Sequence, residues 1–339
     1  MAGSRNRQRA TINDVARRAG VSKSLVSLVL QGSPRVGDAS RKAIHEAMAA
    51  LDYQPNRLAR GLVARRSGIV GVIVSDLHNP FVADVLDAVL EHMDKAGRQV
   101  LLGTGRRRGE QEEQLLDSLI AVPVDGVLLL SPQTAAGRLE HLRRRLPLVV
   151  TGRSDVAESA IDTVIADNVA GATLAVEHLT ALGHRRIAHI TGGDGPASPE
   201  REHGFRQAMA TAGLRRKMKI VRGDFTDEGG YQAMHRILAK PEHPTAVFAA
   251  NDYSALGALN AIEETGRRVP GDISLIGYDN SSAAASRHVS LSSIDQPHTD
   301  MGEQAARILN ERIDGAEGAP RHIVLTPTLI GRNTTAPPP

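Results

Sequence analysis

Apolar and polar positions follow one rhythm up to about residue 66 and another beyond it. In the first stretch the period is helical. Ile12, Val15, Ala16 and Ala19 fall on one helical face. Thr11 precedes them as an N-cap, with Asp14 three residues on to complete a capping box. Gly20 supplies the turn, because it tolerates positive φ. Ser22 caps a second short helix with Val26, Val29 and Leu30 inward, and Gln31-Gly32-Ser33-Pro34 breaks it. Asp38 is expected to cap a third helix with Ile44, Met48 and Leu51 inward, ended by Tyr53-Gln54-Pro55.

From Ile69 short β-rich runs alternate with amphipathic helices. Strands are expected at 69–75, 99–103, 126–130 and 148–151, with helices around 81–93 and 115–120. After a change near Asp162 the alternation repeats, with helices at 169–182, 200–211, 230–238 and 254–264 and strands at 187–191, 219–221, 246–249 and 274–276. Continuous apolar strands between helices mean parallel sheets covered on both faces. Two such blocks predict two doubly wound lobes, with ligand between them at the C-terminal ends of the strands.

Composition narrows the chemistry. The 339 residues suit two or three domains, and 41% hydrophobic with 23% charged residues is globular. Four Phe, four Tyr and no Trp are too few for a single-strand stacking platform. The absence of Cys excludes disulfides, thiolate nucleophiles and Cys-held metals. No apolar run reaches membrane-spanning length and the basic start has no apolar stretch behind it, so a cytoplasmic protein is expected. The formal net charge of +3 hides an asymmetry: residues 1–66 carry 13 Lys/Arg against 4 Asp/Glu, and the remainder is net acidic. A basic helical head on an acidic body suggests a polyanion partner.

Two short helices across a tight turn, closed by a third, make a helix-turn-helix unit. In that unit the second helix enters the major groove of a DNA duplex with its N-terminal side chains toward base edges. Here these are Lys23, Ser24, Ser27 and Leu28, while Thr11 and Ser22 stand at helix starts, Ser22 where a phosphate would be met. The bland alternative is a small bundle with a solvated Lys23. Other motifs carry less. Gly103-Thr-Gly-Arg-Arg-Arg-Gly109 is one residue too long for a dinucleotide fingerprint. There is no Gly-x-Ser-x-Gly elbow, and the 13 His form no metal-spaced cluster. No enzyme, cofactor or metal is therefore expected.

The segment Ala10 to Gly32, ATINDVARRAGVSKSLVSLVLQG, resembles the opening of the lactose/galactose-repressor family, and Tyr53-Gln-Pro-Asn-Arg-Leu-Ala-Arg-Gly-Leu62 resembles its hinge helix. Val72 to Phe81, Leu182 to Ala188, Arg201 to Phe205, Phe248 to Asp252, Ile276 to Asn280 and Leu291 to Pro297 resemble its body segments. Ile330 to Thr334 and the three prolines after it resemble its closing strand and a short disordered tail. The resemblance implies a helix-turn-helix head at 10–56, a hinge helix at 57–66 and a two-lobed core like the periplasmic sugar-binding proteins at 67–335. The first lobe is then expected at about 67–162 and 296–324, the second at about 163–295 and 325–335, with three crossings between them. It implies a homodimeric repressor of a pseudo-palindromic operator, controlled by a small molecule in the cleft. Asn56, Arg57, Ala59 and Leu62 are the implied hinge contacts, with Leu62 as a wedge in the minor groove.

Implied effector contacts are Arg201, Asn251 and Asp279, with Phe81, His298, Asp76 and Gln296 beside them. A carboxylate can accept two adjacent hydroxyls and an Arg can fork to two oxygens. Alternatives remain: Asp252 and Asp279 as helix caps, Arg201 paired with a structural carboxylate, His298 on the surface. Leu25 and Leu28 depart from the family's usual Thr and Arg or His. Val82 follows Phe81 where the purine-binding branch has a second aromatic, which favours a sugar or related polyol. A transport solute-binding protein would share the two lobes but lacks a basic helical head.

Overall fold

A computed structural model of the chain describes residues 10–30, 33–53, 66–153, 155–156, 160–240 and 242–339. Two compact units divide it, one up to Ser67 and one from Gly68. No helix among the described residues is long and apolar enough to cross a membrane.

The first unit holds α1 (Ile12–Ala19), α2 (Lys23–Leu30) and α3 (Asp38–Ala50). The capping box forms as its residues predict: Thr11 N–H donates to the Asp14 carboxylate at 2.9 Å, and Asp14 N–H donates to Thr11 Oγ1 at 3.4 Å. These bonds hold the Asp14 carboxyl below the usual range. Gly20 ends α1 at φ 67°, and Ser22 Oγ accepts from Leu25 N–H at 3.2 Å. Val15, Ala16, Val26, Val29, Ile44 and Ala47 are buried together, with Ile12, Leu30, Met48 and Leu51 packed against them. One cap differs from expectation. Gly37, in extended backbone, is the N-cap of α3 and makes no side-chain cap bond. Asp38 is instead the first residue of the helix, where its charge favours the positive end of the dipole. The segment expected to form the hinge helix, with Asn56, Arg57, Ala59 and Leu62, lies outside the described residues.

The second unit contains two six-stranded sheets. In chain order its elements are β1 (Ile69–Val74), α4 (Pro80–Lys95), β2 (Gln99–Thr104), α5 (Gly109–Ala121), β3 (Gly126–Leu130), α6 (Ala136–Arg143), β4 (Leu148–Thr151), β5 (Asp162–Ala166) and α7 (Asn168–Ala181). Then come β6 (Ile187–Ile190), α8 (Ser198–Thr211), β7 (Met218–Val221), α9 (Asp227–Leu238), β8 (Ala246–Ala249), α10 (Asp252–Glu264) and β9 (Ser274–Asp279). The chain closes with β10 (Ser292–Asp295), α11 (His298–Ile313), β11 (His322–Leu325) and β12 (Thr328–Ile330). The first sheet runs β11-β5-β4-β3-β1-β2, all parallel. The second runs β12-β10-β9-β8-β6-β7, parallel except for β12.

The chain therefore passes between sheets three times, after β5, after β10 and after β11. The first passage follows Ala166, not residue 162 as expected. Asp162 explains the difference: it pairs with Val149 in the first sheet, and its carboxylate accepts two guanidinium bonds from Arg312 at 2.8 and 2.9 Å. The segment after β12 is held to the second sheet as well. Thr334 Oγ1 donates to Leu275 O at 2.7 Å, and Ala336 O accepts from His184 Nε2 at 2.8 Å, so residues 334–336 are bonded to the second sheet.

Candidate functional site

In both sheets the parallel strands point their C-terminal ends at one cleft. The space there is partly open to solvent and is lined by residues of both sheets. Residues just past β1, β2, β3, β4 and β5 form one wall: Asp76 and Asn79, Arg107, Gln133, Gly152 and Asn168. Residues past β6, β8, β9 and β10 form the other, with Arg201, Asn251, Asp279 and Gln296 among them.

The second wall is a connected polar set. Arg201, only 4% exposed, donates from Nε to Asn168 Oδ1 at 2.9 Å and from Nη1 to Ala250 O at 2.5 Å. Its guanidinium carbon lies 3.6 Å from the Tyr278 ring centroid, a cation–π contact made in a dry setting. Asp279 Oδ1 is 3.6 Å from Arg201 Nη1 and accepts from Gln296 Nε2 at 2.5 Å. Burial pushes the Asp279 carboxyl well up; Arg201 opposes this and the Asp252 charge adds to it. Asp279 also holds φ 123°, a region costly for any residue with a Cβ and one that concentrates at ligand sites. Its pairing opposite Asp295 and its bond to Gln296 hold that conformation.

Asn251 has two tasks. Its Oδ1 caps α10 by accepting from Ser254 N–H at 2.9 Å, and its Nδ2 donates to Phe225 O at 3.2 Å. Asp252 points away from the cleft, accepting from Ser281 N–H at 2.8 Å and Ser293 Oγ at 2.6 Å; burial raises its carboxyl. On the first wall, Asp76 accepts from His78 N–H at 2.9 Å, and Phe81 opens α4 behind Asn79, whose Oδ1 accepts from Phe81 N–H at 3.1 Å.

Six of the seven expected effector contacts thus line one cleft: Asp76, Phe81, Arg201, Asn251, Asp279 and Gln296. His298 does not. It is the first residue of α11, and its buried Nδ1 has no partner among the described residues. Sequence reading missed Asn168, Tyr278 and Phe225, which hold or flank Arg201. It also missed Glu112, whose buried carboxylate accepts from Gln133 N–H at 2.6 Å, Thr134 N–H at 2.9 Å and Thr134 Oγ1 at 2.9 Å. That carboxylate braces the loop that carries Ser131 and Gln133 into the cleft; burial raises its proton affinity. A Cβ at Gly152, which has φ 70°, would collide with Ser131 Oγ. Only the Glu just inside an N-terminus, in a segment of helical period, could have hinted at this.

In the separate head unit, Ser22, Lys23, Ser24 and Leu28 are exposed and Ser27 is half-buried. Lys23 and Ser24 are the first two residues of α2, and Ser27 and Leu28 follow one turn later. Thr11 is exposed at the start of α1.

Known proteins match both units. A model described as bacterial regulatory proteins, lacI family, matches residues 11–56, and one described as a periplasmic binding protein-like domain matches residues 176–335. The HTH-type transcriptional regulator CelR of Thermobifida fusca is 38% identical over 337 residues, covering 97% of this chain and 99% of that one. The HTH-type transcriptional repressor PurR of Erwinia tasmaniensis is 36% identical over 332 residues, covering 96% and 97%. Among solved structures, a transcriptional regulator CelR–cellobiose complex aligns with a TM-score of 0.71 at 36% identity, over 96% of this chain and 100% of that one. The lac repressor dimer bound to operator and the anti-inducer ONPF aligns with a TM-score of 0.86 at 30% identity, over 97% and 100%. These relatives are regulators, not enzymes. Matched to them along nearly its whole length, the chain belongs to the lacI family of bacterial regulatory proteins.

Proposed function

We propose that this regulator is a cytoplasmic, homodimeric repressor whose hold on a pseudo-palindromic operator is set by a sugar or related polyol in the cleft. The head supplies Lys23, Ser24, Ser27 and Leu28 to base edges and Thr11 and Ser22 to phosphates. Asn56, Arg57, Ala59 and Leu62 act at the operator centre, with Leu62 as the wedge. In the cleft, Asp279, Arg201 and Asn251 are the polar anchors, with Asp76 and Gln296 beside them and Phe81 as the apolar floor.

The observation that carries the effector half is the convergence of Asp279, at the end of β9, Asn251, just past β8, and Arg201, in the first turn of α8, on one cleft. Only Phe81 and Phe225 bring aromatic rings to that cleft among the described residues, which suits a sugar face better than a base held between rings. Ligand that prefers one lobe arrangement shifts operator affinity, and operator shifts ligand affinity by the same factor. The test is a thermal-shift panel of sugars, with cellobiose first because CelR was solved with it. A binder raises the melting temperature, since it stabilises only the folded state. The same compound then alters operator affinity in a gel-shift titration. A panel without a single binder removes the sugar reading. Operator affinity independent of salt removes the phosphate contacts.

A further inference from the structure

We infer that the effector is uncharged: the cleft reads a free sugar and rejects its phosphorylated form. This rests on the sugar reading above and sharpens it. A phosphate group is recognised by unpaired guanidinium or ammonium groups, or by open backbone N–H groups at a helix N-terminus. Among the described residues that line the cleft, each cation faces a carboxylate, and the helix starts carry acceptor caps, prolines or carboxylates.

Two of those residues are cationic, Arg107 and Arg201, and each already faces a carboxylate. Arg201 has Asn168, Ala250 O and the Asp279 carboxylate on its edge and the Tyr278 ring against its face. Arg107 reaches across to the opposite wall. It donates from Nη2 to Asp224 O, and the same nitrogen is 3.8 Å from the Asp224 carboxylate. The other charged residue facing the space, Asp76, is a carboxylate and repels an anion.

The helix N-termini at the cleft are closed in the same sense. Asn79 caps α4, whose first residue is Pro80 and so lacks an N–H. Asp167 caps α7, accepting from Ala170 N–H at 2.9 Å. Asn251 caps α10, with Asp252 next to it. The first turn of α8 contains Pro199 and Glu200. Each of these four helices has an acceptor cap or carries Pro or a carboxylate in its first turn, which disfavours an entering phosphate. Hydroxyl groups fit instead, since each can donate to Asp279 or Asp76 and accept from Asn251 or Gln296. The signal is then the sugar before any phosphoryl group is added to it, as released by glycosidic hydrolysis or taken up unmodified.

The experiment uses the full chain and matched pairs: cellobiose with 6-phosphocellobiose, glucose with glucose 6-phosphate, fructose with fructose 6-phosphate, and inorganic phosphate alone. Melting temperature and operator affinity are read for each. The expected result is a neutral binder whose phosphate ester binds at least about 100-fold more weakly, with no stabilisation by inorganic phosphate. A phosphate ester that binds as tightly as its parent, or more tightly, overturns the inference and leaves the sugar reading standing. If no compound of either kind binds, the sugar reading itself fails and the inference falls with it. Asp224→Ala tests the cause. Removing that carboxylate frees part of Arg107, so the affinity of the phosphate ester rises about two- to fivefold while the neutral sugar is little changed. An unchanged ester affinity shows that the matching of Arg107 is not what excludes the anion, and overturns the argument.

Discussion

The two lobes of the core share a topology and differ in what they bury. The first lobe packs aliphatic side chains: Val70, Val72, Leu128, Val149 and Leu309 among them, with Phe81 as its one buried Phe, at the cleft. The second lobe buries Phe205, Phe248 and Tyr278, with His189 between the two Phe rings at centroid distances of 5.1 and 4.6 Å. The same asymmetry reaches the cleft. The second wall carries Arg201 and Asp279, both nearly sealed from water, whereas the charged residues of the first wall, Asp76 and Arg107, are more exposed. Buried charge is costly unless it is paired and hydrogen-bonded. The lobe that bears it also has the rigid aromatic packing beneath it: Tyr278 is at once a core ring and the platform for Arg201. In the proposed site, ligand discrimination is therefore concentrated on the second lobe.

That contrast can be broken in several ways. The largest expected effect is on stability. Phe248→Ala removes a ring stacked in the second lobe and costs about 3–5 kcal/mol, whereas Ile73→Val in the first lobe costs about 1 kcal/mol. Urea unfolding measures both, and a loss below about 1 kcal/mol for Phe248→Ala would deny the aromatic stack its role.

Next is pH. Burial lowers the His189 imidazole to about 4, with its Nδ1 3.0 Å from Phe248 O and its Nε2 without a partner among the described residues. Its folded value lies below the unfolded one, so its contribution is fully present above about 6.5 and is lost as pH falls toward 4. The loss amounts to about 3 kcal/mol across that window. Asp252 and Asp279 act in the opposite direction, since their raised carboxyls favour the protonated folded state as pH falls. His189→Asn flattens the imidazole's part of the dependence. Unfolding measured at several pH values gives both slopes, and identical profiles for the variant and the parent chain would contradict the assignment.

On ligand binding, Asp279→Ala lowers effector affinity about 100-fold or more and leaves operator binding in place, because a buried guanidinium and several ligand hydroxyls lose their acceptor together. Ser131→Ala on the first wall costs at most about tenfold, the worth of one neutral hydrogen bond. Calorimetric titration with the compound found in the sugar panel ranks the two. Equal losses would mean that both walls discriminate alike. The smallest effect belongs to the head. Thr11→Ala opens the capping box for about 1 kcal/mol and lowers the head's melting temperature, while the core transition stays where it was.

Much of this arrangement was legible in advance where the signal is local. The capping box at Thr11, the turn at Gly20 and the apolar strands β1, β3, β4 and β8 depend on neighbours within a few residues. So do the positions of Asn251 and Asp279, each at or just past the end of an apolar strand. The expected helices began late: α5 was expected from 115 and starts at Gly109, because its first turn is polar and carries Glu110 and Glu112. α11 was not anticipated, since its buried face is partly Gly302, Ala305 and Ala306, which barely mark a hydrophobic stripe. At β5 the pattern signals only a change and not a strand, for its five residues begin with Asp162, whose partners are Arg312 and Arg321 at the far end of the chain.

The amino-acid order alone decided the period of each element, the basic reader at one end and the residue types that end the strands, because these follow from backbone preference and the alternation of apolar side chains. Folding in three dimensions decided which of those residues share a wall. Asn168, Arg201, Tyr278 and Gln296 are far apart along the chain and become neighbours only through the return of strands and helices to one sheet. Their charges are held in place by burial, and burial is a property of the packed whole that no short stretch of sequence contains.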